Sequence, residues 1–573
     1  MGYFQFRNKF SPSPRQQKFL AWPVLIPPFP FHSIAKRLLT PLLLLLALPQ
    51  LHAQAISLQA GRMKSLKKGD KTVQWLRENV RFEQSGSTVF CDEAEYDPQT
   101  EDLVGRGNVR ITNTDGATVT GKTLEYNNAT HIAKVSGGVT LTDGSMTLTT
   151  PWIQYHTQTK VGWYGNRGNI KDKETQLTSI SGSYNPALKT LFFKNKVVLT
   201  TPEYTVKTDT LQYRTDLKKA QFFAITQLDY KARTVVFNRG YYLTETQKGE
   251  FYGQVALFDS GRTVLCDTLL FNKKDQSGIA HGKVYIHDSL DQWQVWGEHA
   301  HYRGNAKSFS VWNRAVAYQG SGNDLFRIKG DTLHYNSDTA KPIALQAINH
   351  VAFSQQTASG TCQKLTSYRS DSTFYFNGNP VMWDSLTRFS GDSMKMQVQQ
   401  QKIRSLKAFP NAFVAIQEDS LHYSQIQGDY MVQRFTNEQK LDQMQVSRNA
   451  QSIYYLRDAD TLQSANVVSS QIMKIRFNAG KISAISLFQD PKGVLYPIAD
   501  LPATEAKLSR FLFDIENKPT SETFIPPHIV PVPALPYPSE AQRKAQQIKA
   551  QQSKAQLNKT QQNKKPNTKT SKK

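Results

Sequence analysis

The chain has 573 residues, of which 39% are hydrophobic and 20% charged, and its formal net charge is +24. That charge lies at the two ends, since residues 1–55 carry six Lys or Arg and residues 541–573 carry ten, with no acidic residue in either segment. The long body between them is nearly balanced and has no basic stripe, which argues against a nucleic-acid-binding protein.

The first predicted element is an export signal. Lys36 and Arg37 precede the apolar run "LLTPLLLLLAL" at 38–48, and "AQA" at 53–55 has the small residues of a signal-peptidase site. The run is short for a bilayer span, which needs about 20 apolar residues. We therefore interpret residues 1–55 as an N-terminal extension with a cleaved signal, and an uncleaved anchor is the alternative.

A repeated motif fills the body of the chain. It reads apolar, any, small, Asp, any, Leu, any, aromatic, as in "VKTDTLQY" (206–213) and "IKGDTLHY" (328–335). A fixed period of about 20–50 residues indicates stacked repeats. The closing aromatic returns about every 29 residues, at Tyr96, Tyr126, Tyr155, Tyr184, Tyr213, Tyr242, Phe271, Tyr302, Tyr335 and Tyr368.

Each repeat contains two short strands and a corner. Leu211 and Tyr213 share a strand face, whereas Val206 would point the other way in a regular strand. Because a small residue followed by Asp favours a bulge or a sheet corner, we predict a bend there that turns both apolar sets to one side. A second strand follows a Gly or Asn turn, as in "GGVTL" at 137–141.

The fold class predicted from these patterns is all-β, an elongated repeat structure of about 11–12 units. The repeats occupy residues 56–490, followed by a non-repetitive C-terminal cap at 491–524. Residues 525–573 form a Pro-rich linker and a basic tail, for which we expect disorder.

The apolar faces of the repeats predict two facing sheets with a slot between them. Whether this slot is packed shut or held open separates a structural role from transport. Ordinary core packing is the alternative for any single position. The candidate lining residues are Val109, Ile111, Leu124, Tyr126, Val139, Leu141, Val197, Leu199, Leu211, Tyr213, Val255, Leu257, Val284, Ile286, Leu333, Tyr335, Val351 and Phe353.

Candidates for metal chemistry are weak. His299 and His301 point one way on a strand and could ligate a metal, but no Glu follows the pair as a cupin-type site requires, so exposed strand histidines are favoured. The recurrent Asp of the motif could suggest a row of calcium ligands. A corner residue that bonds its own backbone is the favoured reading. It occurs at Asp92, Asp209, Asp267, Asp331 and Asp392.

Nothing in the sequence points to an enzyme. Cys91 and Cys266 occupy the same slot six repeats apart, too far for a disulfide, and together with Cys362 they are interpreted as small residues at a corner, with redox chemistry or metal binding as the alternative. The sequence has no phosphate-binding loop, nucleophile elbow or zinc spacing. We predict no catalytic residue, no metal and no cofactor.

The repeats resemble the OstA-like family, the LptA-type lipopolysaccharide-transport bridge proteins of the bacterial periplasm. The resemblance rests on "VTGKTLEYNNATHIAKVSGGVTLTDG" (119–144) and "VKTDTLQYRTDLKKAQFFAITQL" (206–228) and covers roughly 75–490. It implies a β-jellyroll or β-taco that shields the acyl chains of lipopolysaccharide and joins other components, or copies of itself, through its terminal strands. This chain is longer than the compact bridge protein and ends in a basic tail instead of barrel strands.

Three hypotheses follow. The first is a periplasmic lipid-bridge protein for lipopolysaccharide or a related lipid. The second is a structural or adhesive β-solenoid with a closed core. The third, a binder of anionic polymers through the tail, predicts that deletion of residues 541–573 abolishes function.

Overall fold

The computed structural model describes residues 57–537. Within that span it leaves out short segments at 70, 85–86, 114–115, 143–145, 231–232, 260, 290–291, 304–305, 307, 323–324, 337–339, 357, 370–371, 400–401, 459–460 and 479–480. The predicted export signal and the basic tail lie outside the described residues. The domain boundaries that the sequence suggests at 55, 490 and 524 stay predictions.

The chain divides into two compact units. The N-terminal unit is described from residue 57 to 239, together with residues 532–537, and the C-terminal unit comprises residues 240–531. The strands of the N-terminal unit are β1 Ser57–Gln59, β2 Arg62–Lys68, β3 Lys71–Gln84, β4 Ser87–Tyr96, β5 Leu103–Asn113, β6 Thr118–Asn127, β7 Ile132–Thr142, β8 Thr147–His156, β9 Gly162–Gly165, β10 Gly168–Lys171, β11 Gln176–Ser179, β12 Ser181–Asn185, β13 Thr190–Thr200, β14 Tyr204–Arg214, β15 Lys219–Phe222, β16 Thr226–Tyr230 and β17 Arg233–Phe237.

The C-terminal unit contains the strands from β18 onward, except for Arg239, the first residue of β18. These are β18 Arg239–Leu243, β19 Lys248–Asp259, β20 Arg262–Asn272, β21 Ser277–Asp288, β22 Trp293–Arg303, β23 Ser308–Gln319, β24 Phe326–Asn336, β25 Ile343–Gln355, β26 Ala358–Tyr368, β27 Thr373–Asn377, β28 Val381–Trp383, β29 Thr387–Ser390, β30 Ser393–Gln399, β31 Lys402–Phe409, β32 Ala412–Gln417, β33 Tyr423–Gly428, β34 Tyr430–Phe435, β35 Leu441–Asp458, β36 Thr461–Asn478, β37 Lys481–Phe488 and β38 Lys492–Pro497.

Helix is nearly absent from the part of the chain that the structure describes. Its only helical elements of three or more residues are 3₁₀ turns at Ile498–Asp500, Ile515–Asn517 and Ser521–Phe524. Neighbouring strands pair antiparallel, as β13 does with β14 and β20 with β21. The predicted all-β class is therefore confirmed.

The predicted corner is present in the repeats. In the pair of β13 and β14 the register shifts between Lys194 and Val197, opposite the motif residues Thr210 and Thr208. The extra residue lies on β13, where Asn195 and Lys196 both have positive φ, a conformation that Asn and Gly adopt most readily. Because the ladder bends there, all three apolar residues of "VKTDTLQY" are buried, namely Val206, Leu211 and Tyr213.

The corner divides each repeat into two halves. Half B denotes the strand segments that carry the closing aromatic, such as Leu211 to Tyr213 of β14. Half A denotes the segments on the other side of the corner, such as Val197 to Leu199 of β13. Where the strand breaks at the corner, the halves are separate short strands, as in β28 and β29 of half A. The apolar faces of A and B form the core of each unit.

A segment after the last strand returns along the outer face of half A. We call residues 498–537 the return segment. In the C-terminal unit Leu508 donates its backbone N–H to the Gln425 side chain at 2.8 Å, and Asp514 pairs with Arg388. Its residues meet strands in the reverse of chain order, so it runs opposite to the direction of stacking.

The return segment continues with Phe524, which is fully buried against Val316 and Ala352. These two residues alternate with interior positions and so face outward, yet only 5% and 4% of their surface is exposed. His528 then donates from Nε2 to the Val284 carbonyl at 2.9 Å. In the N-terminal unit, Tyr537 donates its N–H to the Gln227 side chain at 2.9 Å.

Candidate functional site

The eighteen predicted lining residues lie on the inner faces of halves A and B. Fifteen are buried, and Ile111, Tyr126 and Tyr335 are half-buried. The alternation along a strand explains this arrangement, because Val139 and Leu141 are buried on the inner face while Thr140 between them is partly exposed on the other face. The sequence therefore predicted a common apolar interior, although burial alone does not distinguish a lipid slot from a core.

The slot between the two halves is filled. In the N-terminal unit, Phe222 of half B meets Phe237 of half A with ring centroids 5.4 Å apart. In the C-terminal unit, Phe353 of half A meets Phe376 of half B at 5.2 Å. Such aromatic contacts stabilise the fold beyond the contribution that comes from burying the two rings. Side chains from both halves thus touch across the middle.

Among the residues that the structure describes, small apolar cavities remain in the slot. One, of about 20 Å³, lies in the N-terminal unit and is lined by residues such as Leu141, Ile153 and Phe193. Another, of about 40 Å³, lies in the C-terminal unit beside Ile286 and Phe309. Each is of the size that holds a water molecule or two. An acyl chain can enter the slot only if the two halves move apart.

A buried ion pair closes the rim of the slot in the C-terminal unit. Arg262 at the start of β20 and Asp288 at the end of β21 are cross-strand partners in half A, with Nε and Oδ2 2.7 Å apart. Tyr302 of half B is also buried. Burial raises the pKa of the Tyr302 hydroxyl to about 12, and the nearby Arg262 guanidinium opposes that shift. The two halves therefore approach each other at this rim.

Three of the five recurrent Asp residues bond across strands at the corners, whereas Asp209 accepts from the hydroxyl of its neighbour Thr210. Asn108 and Asn411 donate from Nδ2 to Asp92 and Asp392 at 2.9 and 2.8 Å, and His350 pairs with Asp331 at 3.0 Å. The sequence predicted a bond from each Asp to its own backbone, whereas these carboxylates reach the corner residue of the next strand. That residue has positive φ and projects its side chain back toward the carboxylate.

Four histidines of β21, β22 and β24 lie on the outer face of half B, namely His281, His299, His301 and His334. His281 and His299 are cross-strand partners whose Nδ1 atoms are 2.9 Å apart, so one ring donates and the other accepts. Burial lowers the pKa of His281, His301 and His334, which favours their neutral forms. Among the residues that the structure describes, no group of three or more potential ligands is placed to hold a metal ion.

The three cysteines are buried free thiols. Burial raises the pKa of Cys91 to about 11 and the pKa of Cys266 and Cys362 to about 12. The thiolate form, which is the nucleophile and the metal ligand, is therefore scarce near neutral pH. Their predicted role as small corner or core residues fits this environment.

Stacked antiparallel repeats that bend at a corner and enclose an apolar interior define the class of protein to which both units conform. Residues 53–209 match the family described as OstA-like protein. This match confirms the resemblance to the OstA-like family that the repeats predicted. No curated protein matches the chain.

Two solved structures are similar to parts of this chain. One is described as LptH, the LptA homologous periplasmic component of the conserved lipopolysaccharide transport device from Pseudomonas aeruginosa. It is 15% identical over 18% of this chain and 77% of its own, with a TM-score of 0.17. The other is the extracellular domain of the one-component system BT4673 from B. thetaiotaomicron, 8% identical over 76% and 92% of the two chains, with a TM-score of 0.09. At these scores neither carries an argument about function.

Sequence reasoning missed two parts of the site. Arg262 and Asp288 stand at strand ends outside the repeated motif, and only their opposite charges in paired strands could have suggested an ion pair. The return segment has no periodicity that could place it on half A. No helix within the described residues has the length and apolarity to cross a bilayer.

Proposed function

We propose that this protein is a periplasmic bridge protein that shields the acyl chains of lipopolysaccharide between halves A and B during transport to the outer membrane. The match to the OstA-like family supports this proposal. The observation that carries it is the apolar lining that repeat after repeat presents between halves A and B within each unit, as at Val139 and Leu141 in the N-terminal unit and at Val351 and Phe353 in the C-terminal unit.

Lipid entry requires the halves to separate, because the slot is filled. Burying a methylene group contributes about 0.8 kcal/mol, so several acyl chains of a dozen carbons each offset the loss of contacts such as the one between Phe353 and Phe376. Each half keeps its own backbone hydrogen bonds between neighbouring strands during such a movement. The bend at the corner is the point about which the halves turn.

Photo-crosslinking in living cells tests the proposal. A photoreactive residue replaces Leu141 or Leu257, which face the interior, and the control position is Thr140, which faces outward between two interior residues. Lipid adducts at Leu141 and Leu257 but not at Thr140 support transport through the slot. Adducts at none of the three positions, with the protein folded and exported, contradict it.

A structural role is the second candidate. The aromatic contacts across the slot and the cavities of about 20 and 40 Å³ favour a β-solenoid scaffold with a closed core. Under this hypothesis the interior stays closed in cells, and the crosslinking experiment gives no lipid adduct.

The terminal rungs are the proposed contact sites for other transport components or for further copies of the chain. In the N-terminal unit, β1 and β2 both pair with β3, and in the C-terminal unit β37 and β38 both pair with β36. Val494 and Leu495 of β38 are half or more exposed. Strand addition at such an edge supplies backbone hydrogen bonds to a partner. Replacing Val494 with Pro is expected to abolish crosslinks between β38 and a partner protein or a second copy of the chain.

The proposed location is the periplasm, with no catalytic activity and no cofactor. N-terminal sequencing of the protein recovered from cells tests signal cleavage: a start near residue 56 supports export with cleavage, and an intact N-terminus supports an anchor. Deletion of residues 541–573 is expected to leave lipid crosslinking intact. Loss of all adducts on that deletion favours the anionic-polymer hypothesis.

A further inference from the structure

The ion pair at the rim of the C-terminal unit is largely buried. Only 18% of the Arg262 side chain and 3% of the Asp288 side chain are exposed. Asp288 also lines the apolar cavity of about 40 Å³, together with Ile286 and Trp293. A charged pair thus occupies the boundary between the apolar slot and the solvent.

The contribution of this ion pair to folding stability does not explain its presence at the rim. Removing two charges from water costs free energy that their attraction offsets only in part, and apolar residues of similar size often serve folding as well or better. Most neighbouring positions of the slot are apolar, as at Val295 and Leu345. The pair therefore fits a role in recognition.

Arg262 is placed to meet a ligand that enters between the halves. Its partner Asp288 lies in half A, and its charge also influences Tyr302 in half B. The guanidinium group is planar and presents paired N–H donors that match the oxygens of a phosphoryl group. A lipid whose acyl chains fill the slot has its headgroup at the rim, within reach of this fork.

We propose that Arg262 binds a phosphoryl group of the lipid headgroup and that Asp288 holds the guanidinium at the rim until the lipid enters. This inference rests on the proposed function and adds a specificity residue to it. The phosphoryl oxygens replace the Asp288 carboxylate as the partner of Arg262. The slot then prefers phosphorylated lipids over uncharged lipids with the same acyl chains.

The test uses the full mature chain with a photoreactive residue at Leu257, which lies on the strand paired with β20 near Arg262. The probes are a diphosphorylated, multi-acylated glucosamine disaccharide and the same lipid without phosphates. The protein with Arg262 and Asp288 unchanged is expected to give about tenfold more adduct with the phosphorylated lipid than with the phosphate-free lipid. This ratio corresponds to about 1.4 kcal/mol of binding free energy from the bidentate contact. Arg262→Gln is expected to abolish the preference while adducts with the phosphate-free lipid remain.

Two variants make the outcome decisive. Arg303→Gln removes an exposed arginine at the end of β22 and should keep the preference. Asp288→Asn removes the competing carboxylate and should raise the preference several-fold, which provides a second measurement if Arg262→Gln fails to fold. An unchanged preference in Arg262→Gln or in Asp288→Asn overturns the inference. Absence of adducts with both lipids in every variant counts against the proposed function itself.

Discussion

Phe376 is packed between the two halves, and its ring helps to keep the slot closed. It is buried, and its ring meets Phe353 of the opposite half at 5.2 Å. Phe376→Ala is expected to lower the free energy of unfolding by about 3–5 kcal/mol, because it removes a buried ring and leaves a cavity. The urea denaturation midpoint measures this loss.

The matched control for that substitution is Phe223→Ala, since 49% of Phe223 is exposed. The control should change the midpoint little. Equal effects of the two substitutions would contradict the packed slot.

The cysteines give a second prediction for single residues. Cys91, Cys266 and Cys362 are buried, and burial raises the pKa of their thiols to about 11, 12 and 12. A maleimide reagent is expected to label none of them in the native protein at pH 7 and all three after unfolding in urea. Mass spectrometry counts the labels. Rapid labelling of the native protein would show that the corners open to solvent.

At the scale of the element, the corner is held by backbone geometry and by one side-chain bond. Asn411 donates to Asp392 across two strands at 2.8 Å. Asp392→Ala is expected to lower the free energy of unfolding by about 0.5–1.5 kcal/mol, the net contribution of one hydrogen bond. Lys122→Ala is the control because Lys122 occupies the same slot in a repeat without the carboxylate. A larger loss of stability in Lys122→Ala than in Asp392→Ala would show that the hydrogen bond from Asn411 to Asp392 does not stabilise the corner.

The histidine face of half B predicts a dependence on pH. Burial lowers the pKa of His281, His301 and His334 in the folded protein, whereas unfolded histidine titrates near 6.5. Below that pH the unfolded state binds more protons than the folded state, so the free energy of unfolding falls as the pH drops. The melting temperature is expected to decrease from pH 7.5 to 5.5.

A triple variant with Gln at positions 281, 301 and 334 tests the cause of this slope. It should flatten the decrease, because glutamine does not titrate. A decrease of the same size in the variant would assign the slope to other groups.

The sequence predicted the corner and the faces of the strands because both depend on local chemistry. Val206, Leu211 and Tyr213 are close in sequence, and the small residue and Asp between them favour the bend. The separation of the halves is not local. Nothing in the repeat of Phe353 specifies that Phe376, in another repeat, fills the space opposite it. Packing across the slot therefore became visible only in three dimensions.

At the scale of the whole molecule, the return segment adds contacts that the repeats do not supply. In a stacked repeat protein each unit contacts its immediate neighbours, so stability is nearly a sum of local terms. Phe524 packs between residues of different strands, Val316 of β23 and Ala352 of β25. Alternation along those strands predicts both residues to face solvent, whereas only 5% and 4% of their surface is exposed because Phe524 covers them.

Phe524→Ala is expected to destabilise the C-terminal unit by about 3–5 kcal/mol, since the side chain is fully buried. Limited proteolysis should then cleave the return segment faster than in the unmodified protein. Ile529→Ala is the control, because Ile529 is in the same segment and is 93% exposed. Equal cleavage rates in the two variants would show that Phe524 does not anchor the segment.

The return segment also sets the order in which the protein can be completed. A ribosome adds about 5–20 residues per second and makes the N-terminal part first. Ala352 is therefore synthesised on the order of ten seconds before Phe524 reaches it. During that interval Val316 and Ala352 are not yet covered, at the stage when the nascent chain is most prone to associate with others. A protein truncated before residue 498 would lack the return segment, so Val316 and Ala352 would stay uncovered. Such a truncated protein is expected to depend on chaperones to remain soluble.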